Sequence, residues 1–162
     1  MAVFNAAEAL DIAMQVEKSG QSFYARAAEN ASDPEIKALL EELAEWEVQH
    51  YNTFKELAEQ IDEGPRLEGP MWEEYDQYLE TALDNALFQG PDKALAAADE
   101  LENEREALKM ALGFEKDALL FYYDLWHIMP ERQQEAVDRI ITEEKTHATR
   151  LARLLRSGET EL

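Results

Sequence analysis

Two Glu-x-x-His motifs have the side chains and the spacing of metal ligands. They lie at Glu47–His50 and Glu144–His147. Residues three apart share one face of an α-helix, so each motif can direct a carboxylate and an imidazole at the same ion. One motif of this kind is common on charged helices. Here each follows an earlier glutamate at similar distance, 30 residues in the first half of the chain and 29 in the second.

The segments around those earlier glutamates repeat each other. Residues 13–24 read AMQVEKSGQSFY and residues 111–122 read ALGFEKDALLFY, with Ala, Glu, Lys, Phe and Tyr in register. The shared Glu is Glu17 in the first copy and Glu115 in the second. Two related helical hairpins that face each other would form a bundle with pseudo-twofold symmetry.

The elements that must position these residues are helices. Glycine and proline are few, and the sequence predicts helices at about 5–31, 34–62, 72–88, 92–129 and 131–157. Asp33 is expected to cap the second helix, with Pro34 at its first position. Short links predict two antiparallel hairpins, and a link of about 28 residues that carries the short helix predicts a long crossover. We therefore expect a single all-α domain over residues 1–162, a ferritin-like four-helix bundle.

The candidate ligands fall within the apolar seams of the four long helices. Helix 2 shows the seam most clearly, with apolar or ligand residues in alternating steps of four and three. Four carboxylates in an apolar core would repel each other and lose hydration, and two divalent cations would balance their charge. Oxygen and imidazole ligands suit iron, with manganese or a mixed pair as the alternative. The six expected metal ligands are Glu17, Glu47, His50, Glu115, Glu144 and His147.

The composition excludes several kinds of site and partner. The chain has no cysteine, which excludes disulfides, iron–sulfur clusters and thiolate metal sites within these residues. A net charge of −21 argues against nucleic acids and anionic membranes as partners. No secretion signal or long apolar segment is evident, so a cytoplasmic location is expected.

The motifs EKSGQSFY, EVQH, EKDALLFYY and EEKTH resemble the rubrerythrin diiron domain of the ferritin-like superfamily, across about residues 5–157. The resemblance implies that Glu47 and Glu144 bridge two irons. It assigns Glu17 and His50 to one iron, and Glu115 and His147 to the other. It further implies that the following tyrosines hydrogen-bond to the ligand carboxylates and support catalysis, namely Tyr24 and Tyr122.

Two features depart from the rubrerythrin pattern. The rubredoxin-like domain with its four cysteines is missing from this sequence, which implies a separate electron-donor protein. Ala118 stands where rubrerythrins have a further glutamate ligand, so the six-ligand set is also similar to that of bacterioferritin.

Three functions agree with these observations. The first is an oxidoreductase that reduces hydrogen peroxide or dioxygen at the diiron site. The second is a ferroxidase for iron storage, which requires a cage of subunits, and the third is a helical metal-binding module without turnover. The extra helix favours a homodimer over a cage. Three features are expected to lie outside the site: Glu143, His127 near the end of helix 3, and the charge run Glu102, Glu104 and Glu106.

Overall fold

Five helices form the described part of the computed structural model, which covers residues 5–61, 73–74, 77, 81 and 89–160. They are α1 (Ala6–Asn30), α2 (Pro34–Glu59), α3 (Pro91–Asp99), α4 (Glu104–Ile128) and α5 (Glu131–Thr160). The short helix expected at 72–88 lies outside the described residues, apart from four isolated helical positions. Within the described ranges, no helix combines the length and the apolar character needed to cross a bilayer.

Local sequence signals explain where the helices begin. Asn5 and Glu8 form a reciprocal capping box at the start of α1. The Asp33 side chain accepts hydrogen bonds from the backbone N–H groups of Glu35 and Ile36, with Pro34 at the first helical position, which confirms the expected cap. Gly90 precedes α3 with a φ of 111°, a left-handed conformation that glycine adopts readily.

The helix expected at 92–129 is wrong as a single element. The structure divides it into α3 and α4, with a break at residues 100–103. Side chains in the break compete with the helical ladder for backbone hydrogen bonds. Asn103 accepts from the backbone N–H of Glu106, and the Glu106 carboxylate accepts from the backbone N–H of Glu102 at 3.0 Å.

The charge run Glu102, Glu104 and Glu106, which begins in this break and continues into α4, has a structural role that we did not expect. The Glu104 carboxylate accepts hydrogen bonds from the backbone N–H groups of Ser32 and Asp33, the latter at 2.8 Å. These residues form the turn between α1 and α2. Glu104 thus connects the start of α4 to the first hairpin, instead of lying free on a solvated face.

The four long helices pack as two hairpins around one core. Helix α1 packs against α2, α3 and α4, and α5 packs against α4 and α2. The predicted seam of α2 is the side that is buried: its central members, from Leu40 to Leu57, are at most 6% exposed. Because each seam carries its glutamate or Glu-His pair at mid-helix, this packing places those side chains in the centre of the bundle.

Candidate metal centre

The six side chains expected to bind metal lie together in the core of the bundle. Helix α1 contributes one glutamate, α4 another, and α2 and α5 a Glu-His pair each. All are between 0% and 2% exposed: Glu17, Glu47, His50, Glu115, Glu144 and His147. Such complete burial of charged side chains is rare without a partner of opposite charge.

These residues form two adjoining groups that share one carboxylate. The first group contains Glu17, Glu47, His50 and Glu144, and the second contains Glu115, Glu144 and His147. Within each group, one ligand atom from every residue lies within 4.8 Å of the others. Glu144 belongs to both groups, as a bridging ligand would. Glu47, the other expected bridge, lies only with the first.

Both histidines direct the same ring nitrogen at Glu144. The Nδ1 atom of His50 is 3.0 Å from Glu144 Oε1 and 3.6 Å from Glu17 Oε2. The Nδ1 atom of His147 is 3.2 Å from Glu144 Oε2. The two rings are stacked with their centroids 6.0 Å apart. An ion on each side of Glu144 would therefore meet one imidazole nitrogen and several carboxylate oxygens.

Several buried ligand atoms have no hydrogen-bond partner. They are Glu17 Oε2, both carboxylate oxygens of Glu47, Glu115 Oε2 and His50 Nδ1, whose close contact with Glu144 does not have the angles of a hydrogen bond. Buried polar atoms are normally paired, and an unpaired one costs about 1–3 kcal/mol. Metal coordination would satisfy all of these atoms at once, and oxygen and imidazole donors without thiolate suit iron or manganese. The residues present therefore fit the metal pair that the sequence predicts.

The electrostatics of the cluster show what a cation would relieve. Burial, followed by the neighbouring carboxylates, raises the pKa of Glu47 and of Glu115 well above the usual value. Burial alone would also raise the pKa of Glu144, but contacts with Glu115, His147 and His50 lower it below its usual value. For His50, burial opposes the charged form, yet contacts with Glu144 and Glu17 raise its pKa to about 11. Without metal, bound protons must balance part of the negative charge of the carboxylates.

The two buried tyrosines cross between the halves of the bundle. Tyr24 follows Glu17 on α1, but its hydroxyl donates to Glu115 Oε1 on α4 at 2.6 Å. Tyr122 follows Glu115 on α4, and its hydroxyl donates to Glu17 on α1. Both tyrosines are 0% exposed, and burial followed by the adjacent carboxylate raises their pKa. Each tyrosine therefore stays neutral and donates a hydrogen bond to one oxygen of its partner glutamate.

Glu143 is the residue that sequence reasoning missed. We expected it to lie outside the site, but its Oε2 atom is 2.9 Å from Nε2 of His50, the ring nitrogen that faces away from the carboxylates. The sequence did contain a signal. A residue directly before Glu144 lies about 100° around α5, at the edge of the seam where α2 packs. His127, which we also expected to lie outside the site, contacts the backbone of Tyr123 in its own helix.

A glycine makes room for Glu47. Gly20 lies one turn after Glu17 on α1, and a Cβ atom placed there would be 2.8 and 2.9 Å from two ring carbons of Phe114, and closer still to Glu47 Oε2. Real Cβ atoms do not approach other side chains so closely. The Glu47 carboxylate therefore occupies the space that a side chain at position 20 would need.

Two comparisons with known proteins found matches. The rubrerythrin family model matches residues 8–107. Among solved structures, a ferritin-like diiron-carboxylate protein from Thermotoga maritima is 24% identical, with a TM-score of 0.72 over 98% of this chain and 99% of that one. No protein of curated function shows a significant match. The structural match confirms the expected all-α, ferritin-like bundle, and because the family match spans more than half of the sequence, the chain belongs to the rubrerythrin family.

Proposed function

We propose that this protein is a diiron oxidoreductase that reduces hydrogen peroxide, with dioxygen as a slower substrate. The observation that carries the proposal is the buried cluster of six ligand side chains with five unpaired ligand atoms. A purely structural core has no reason to bury four carboxylates in one place. The family of the chain supports iron as the metal, with manganese as the alternative that the same donors would accept.

Each residue of the cluster has a role in this proposal. Glu17 and His50 would hold one metal position and Glu115 and His147 the other, with Glu144, which belongs to both groups, as one bridge. Glu47, which lies with the first group, is the second bridge that we propose. When bound, two ferrous ions supply the two electrons that convert peroxide and two protons into two molecules of water.

The protein contributes position, charge and exclusion of solvent. Tyr24 and Tyr122 each keep a proton on their hydroxyl and orient one glutamate by donating it. Phe54 and Phe114, both at most 2% exposed, lie beside the tyrosines and help to exclude bulk water from the cluster.

A small surface cleft reaches His50 and is the route that we propose for the substrate. It has a volume of about 130 Å³ and lies between α2 and α5, where its lining includes Trp46, Thr53, Arg139 and Glu143 as well as His50. Space of this size admits molecules of a few atoms, such as peroxide or dioxygen. An organic substrate of cofactor size would need a much larger site.

The finer parts of the proposal concern partners. The oxidised site must be reduced again, and the sequence contains no cysteine that could hold an electron-transfer cluster. We therefore propose that a separate redox protein donates the electrons. We also propose that the chain acts as a homodimer.

A ferroxidase is the second candidate, and one residue favours it. Ala118 lies buried one turn after Glu115, at 1% exposure, where rubrerythrins are expected to have a seventh ligand. Six ligands leave the site less able to exchange donors between oxidation states. That property suits an iron-oxidising site from which the product leaves.

Anaerobic loading with ferrous iron, followed by stopped-flow absorbance, tests the proposal. The loaded protein is mixed with peroxide and, separately, with dioxygen. We expect peroxide to oxidise the ferrous protein faster than dioxygen does. We expect Ala118→Glu to increase the ratio of the peroxide rate to the dioxygen rate. A double variant, Glu47→Ala with Glu144→Ala, is the control that should not react. If dioxygen reacts faster than peroxide with the parent, the ferroxidase function is supported in place of the peroxidase function. If neither oxidant reacts, the protein is a metal-binding module.

A further inference from the structure

The sequence repeat supplies matching glutamates and histidines to the two metal positions, but their surroundings in the structure differ. The repeat relates α1 to α4 and α2 to α5, so Glu47 corresponds to Glu144 and His50 to His147. The residue directly before the first of these glutamates is Trp46, and the residue before the second is Glu143. This pair of neighbours therefore departs from the pseudo-twofold symmetry of the repeat.

Each member of the pair contacts the histidine of the opposite half. Glu143 Oε2 lies 2.9 Å from His50 Nε2, and the Glu143 side chain is 36% exposed. On the other side, the centroid of the Trp46 ring lies 5.6 Å from that of His147 and 5.9 Å from that of His50. His50 thus has a carboxylate at its Nε2 atom, whereas the residue at the matching position of the other half, beside His147, is a tryptophan.

Glu42 interacts with both Trp46 and His147, but its main partner is Arg150. Glu42 receives two hydrogen bonds from Arg150, at 2.8 and 2.7 Å. The hydrogen bond from Arg150 also lowers the pKa of Glu42, as expected for a carboxylate in a close ion pair. With its charge balanced by the guanidinium, Glu42 acts on His147 only through its charge, whereas Glu143 lies at hydrogen-bond distance from His50.

A carboxylate behind a ligating imidazole has a known physical effect. When Nδ1 binds a metal, the remaining proton is on Nε2, and the carboxylate accepts it in a hydrogen bond. This contact fixes the ring and makes Nδ1 a stronger donor, and removing it typically weakens metal binding about 10–100-fold. An indole face gives no such acceptor.

We propose that Glu143 is a positioning residue for His50, and that it makes the two metal positions unequal. The ion held by Glu17 and His50 binds first and more tightly, and the ion held by Glu115 and His147 binds second and exchanges more readily. The inference rests on the metal centre of the proposed function, but it is independent of whether peroxide or dioxygen is the substrate.

Titration of the apoprotein with Co²⁺ under anaerobic conditions tests this order. Calorimetry reports the two affinities, and the visible absorption of Co²⁺ reports its coordination. We expect two resolved steps for the parent. Glu143→Gln should weaken the first step about 10-fold or more and leave the second within about two-fold. Glu143→Asp, which keeps the charge on a shorter side chain, should restore part of the loss.

Matched variants separate positioning from general effects of charge or folding. Glu135→Gln removes the same charge from an exposed position of α5 and should give the parental isotherm. Trp46→Glu places a carboxylate behind His147 and should tighten the second step, so that the two affinities converge. Trp46→Phe, which removes the indole without adding charge, should not tighten it. Circular dichroism of each apoprotein checks that the helices are intact.

The outcomes distinguish this inference from the proposed function. If the parent binds no Co²⁺, the metal centre itself is wrong, and this inference with it. If the parent binds two ions with equal affinity, or if Glu143→Gln weakens both steps equally or neither, the metal centre stands and the inequality is wrong. Selective weakening of the first step, together with tightening of the second in Trp46→Glu, supports it.

Discussion

Replacing Gly20 by alanine probes the contact between α1 and the cluster. Mid-helix glycine is less favourable than alanine by about 1 kcal/mol, so the substitution alone should stabilise the protein. At Gly20, however, the new Cβ would lie 2.8 and 2.9 Å from ring carbons of Phe114, and closer to Glu47 Oε2. Forcing an extra carbon into a packed core costs about 1–3 kcal/mol. The two effects oppose each other at this position.

Gly113→Ala provides the matched control. Gly113 is also within a helix, α4, but a Cβ placed there meets nothing within 4 Å. It should show only the helix-propensity gain, about 0.5–1 kcal/mol. Because that gain is common to both variants, the difference between them isolates the clash. Gly20→Ala should therefore be less stable than Gly113→Ala by about 1–3 kcal/mol.

Thermal melts of the two apoproteins measure this difference. For a chain of this length, each kcal/mol corresponds to about 2–4 °C, so the melting temperatures should differ by about 2–12 °C. Gly20→Ala should also bind ferrous iron more weakly, because the Glu47 carboxylate must leave its place beside Glu17 and His50. Gly113→Ala should still load two irons per chain. Equal melting temperatures, or a Gly20→Ala variant more stable than the control, would refute this account of the core.

Three further predictions follow from the cluster. The combined change Glu47→Ala and Glu144→Ala should abolish iron loading, measured by elemental analysis, while circular dichroism stays helical; two irons retained would contradict the site. The raised pKa of Glu47 and Glu115 means that the folded apoprotein binds protons more tightly than the unfolded chain, so its stability should fall as pH rises above 4.5. The raised pKa of His50 has the same effect above pH 6.5, whereas the stability that Glu144 contributes through its lowered pKa is constant above pH 4.5 and is lost only below it. Melts of the apoprotein should therefore lose stability between about pH 5 and pH 8, and iron should reduce that loss; identical profiles would mean that the carboxylates do not share a metal. Tyr24→Phe should cost about 1–3 kcal/mol in urea unfolding, because Glu115 loses a buried donor, and a change under about 0.5 kcal/mol would argue against that hydrogen bond.

Features set by neighbours in the chain could be predicted from the sequence. The cap at Asp33, the glutamates in the helical seams and the Glu-x-x-His spacing are all local, because a helix fixes the direction of each side chain by its position. Because four carboxylates buried in one core need positive charge to balance them, two divalent cations could also be predicted. The break between α3 and α4 was missed because the sequence around it has a strong helical pattern. In the structure, Glu106 accepts a hydrogen bond from the backbone of Glu102, and Glu104 accepts one from the backbone of Asp33 in the turn before α2. Such bonds compete with the helical hydrogen bonds.

Only the tertiary structure decided which side chains meet across helices. Tyr24 contacts Glu115 and not the glutamate seven residues before it, and Glu143 reaches His50 and not a residue of its own helix. Such contacts depend on how far each helix is rotated about its axis and shifted along its neighbour. Helical periodicity specifies a face to within a side chain or two, but these contacts form or fail within about 3 Å. For that reason the sequence shows the types and spacing of the candidate ligands, whereas the different surroundings of His50 and His147 are evident only in the structure.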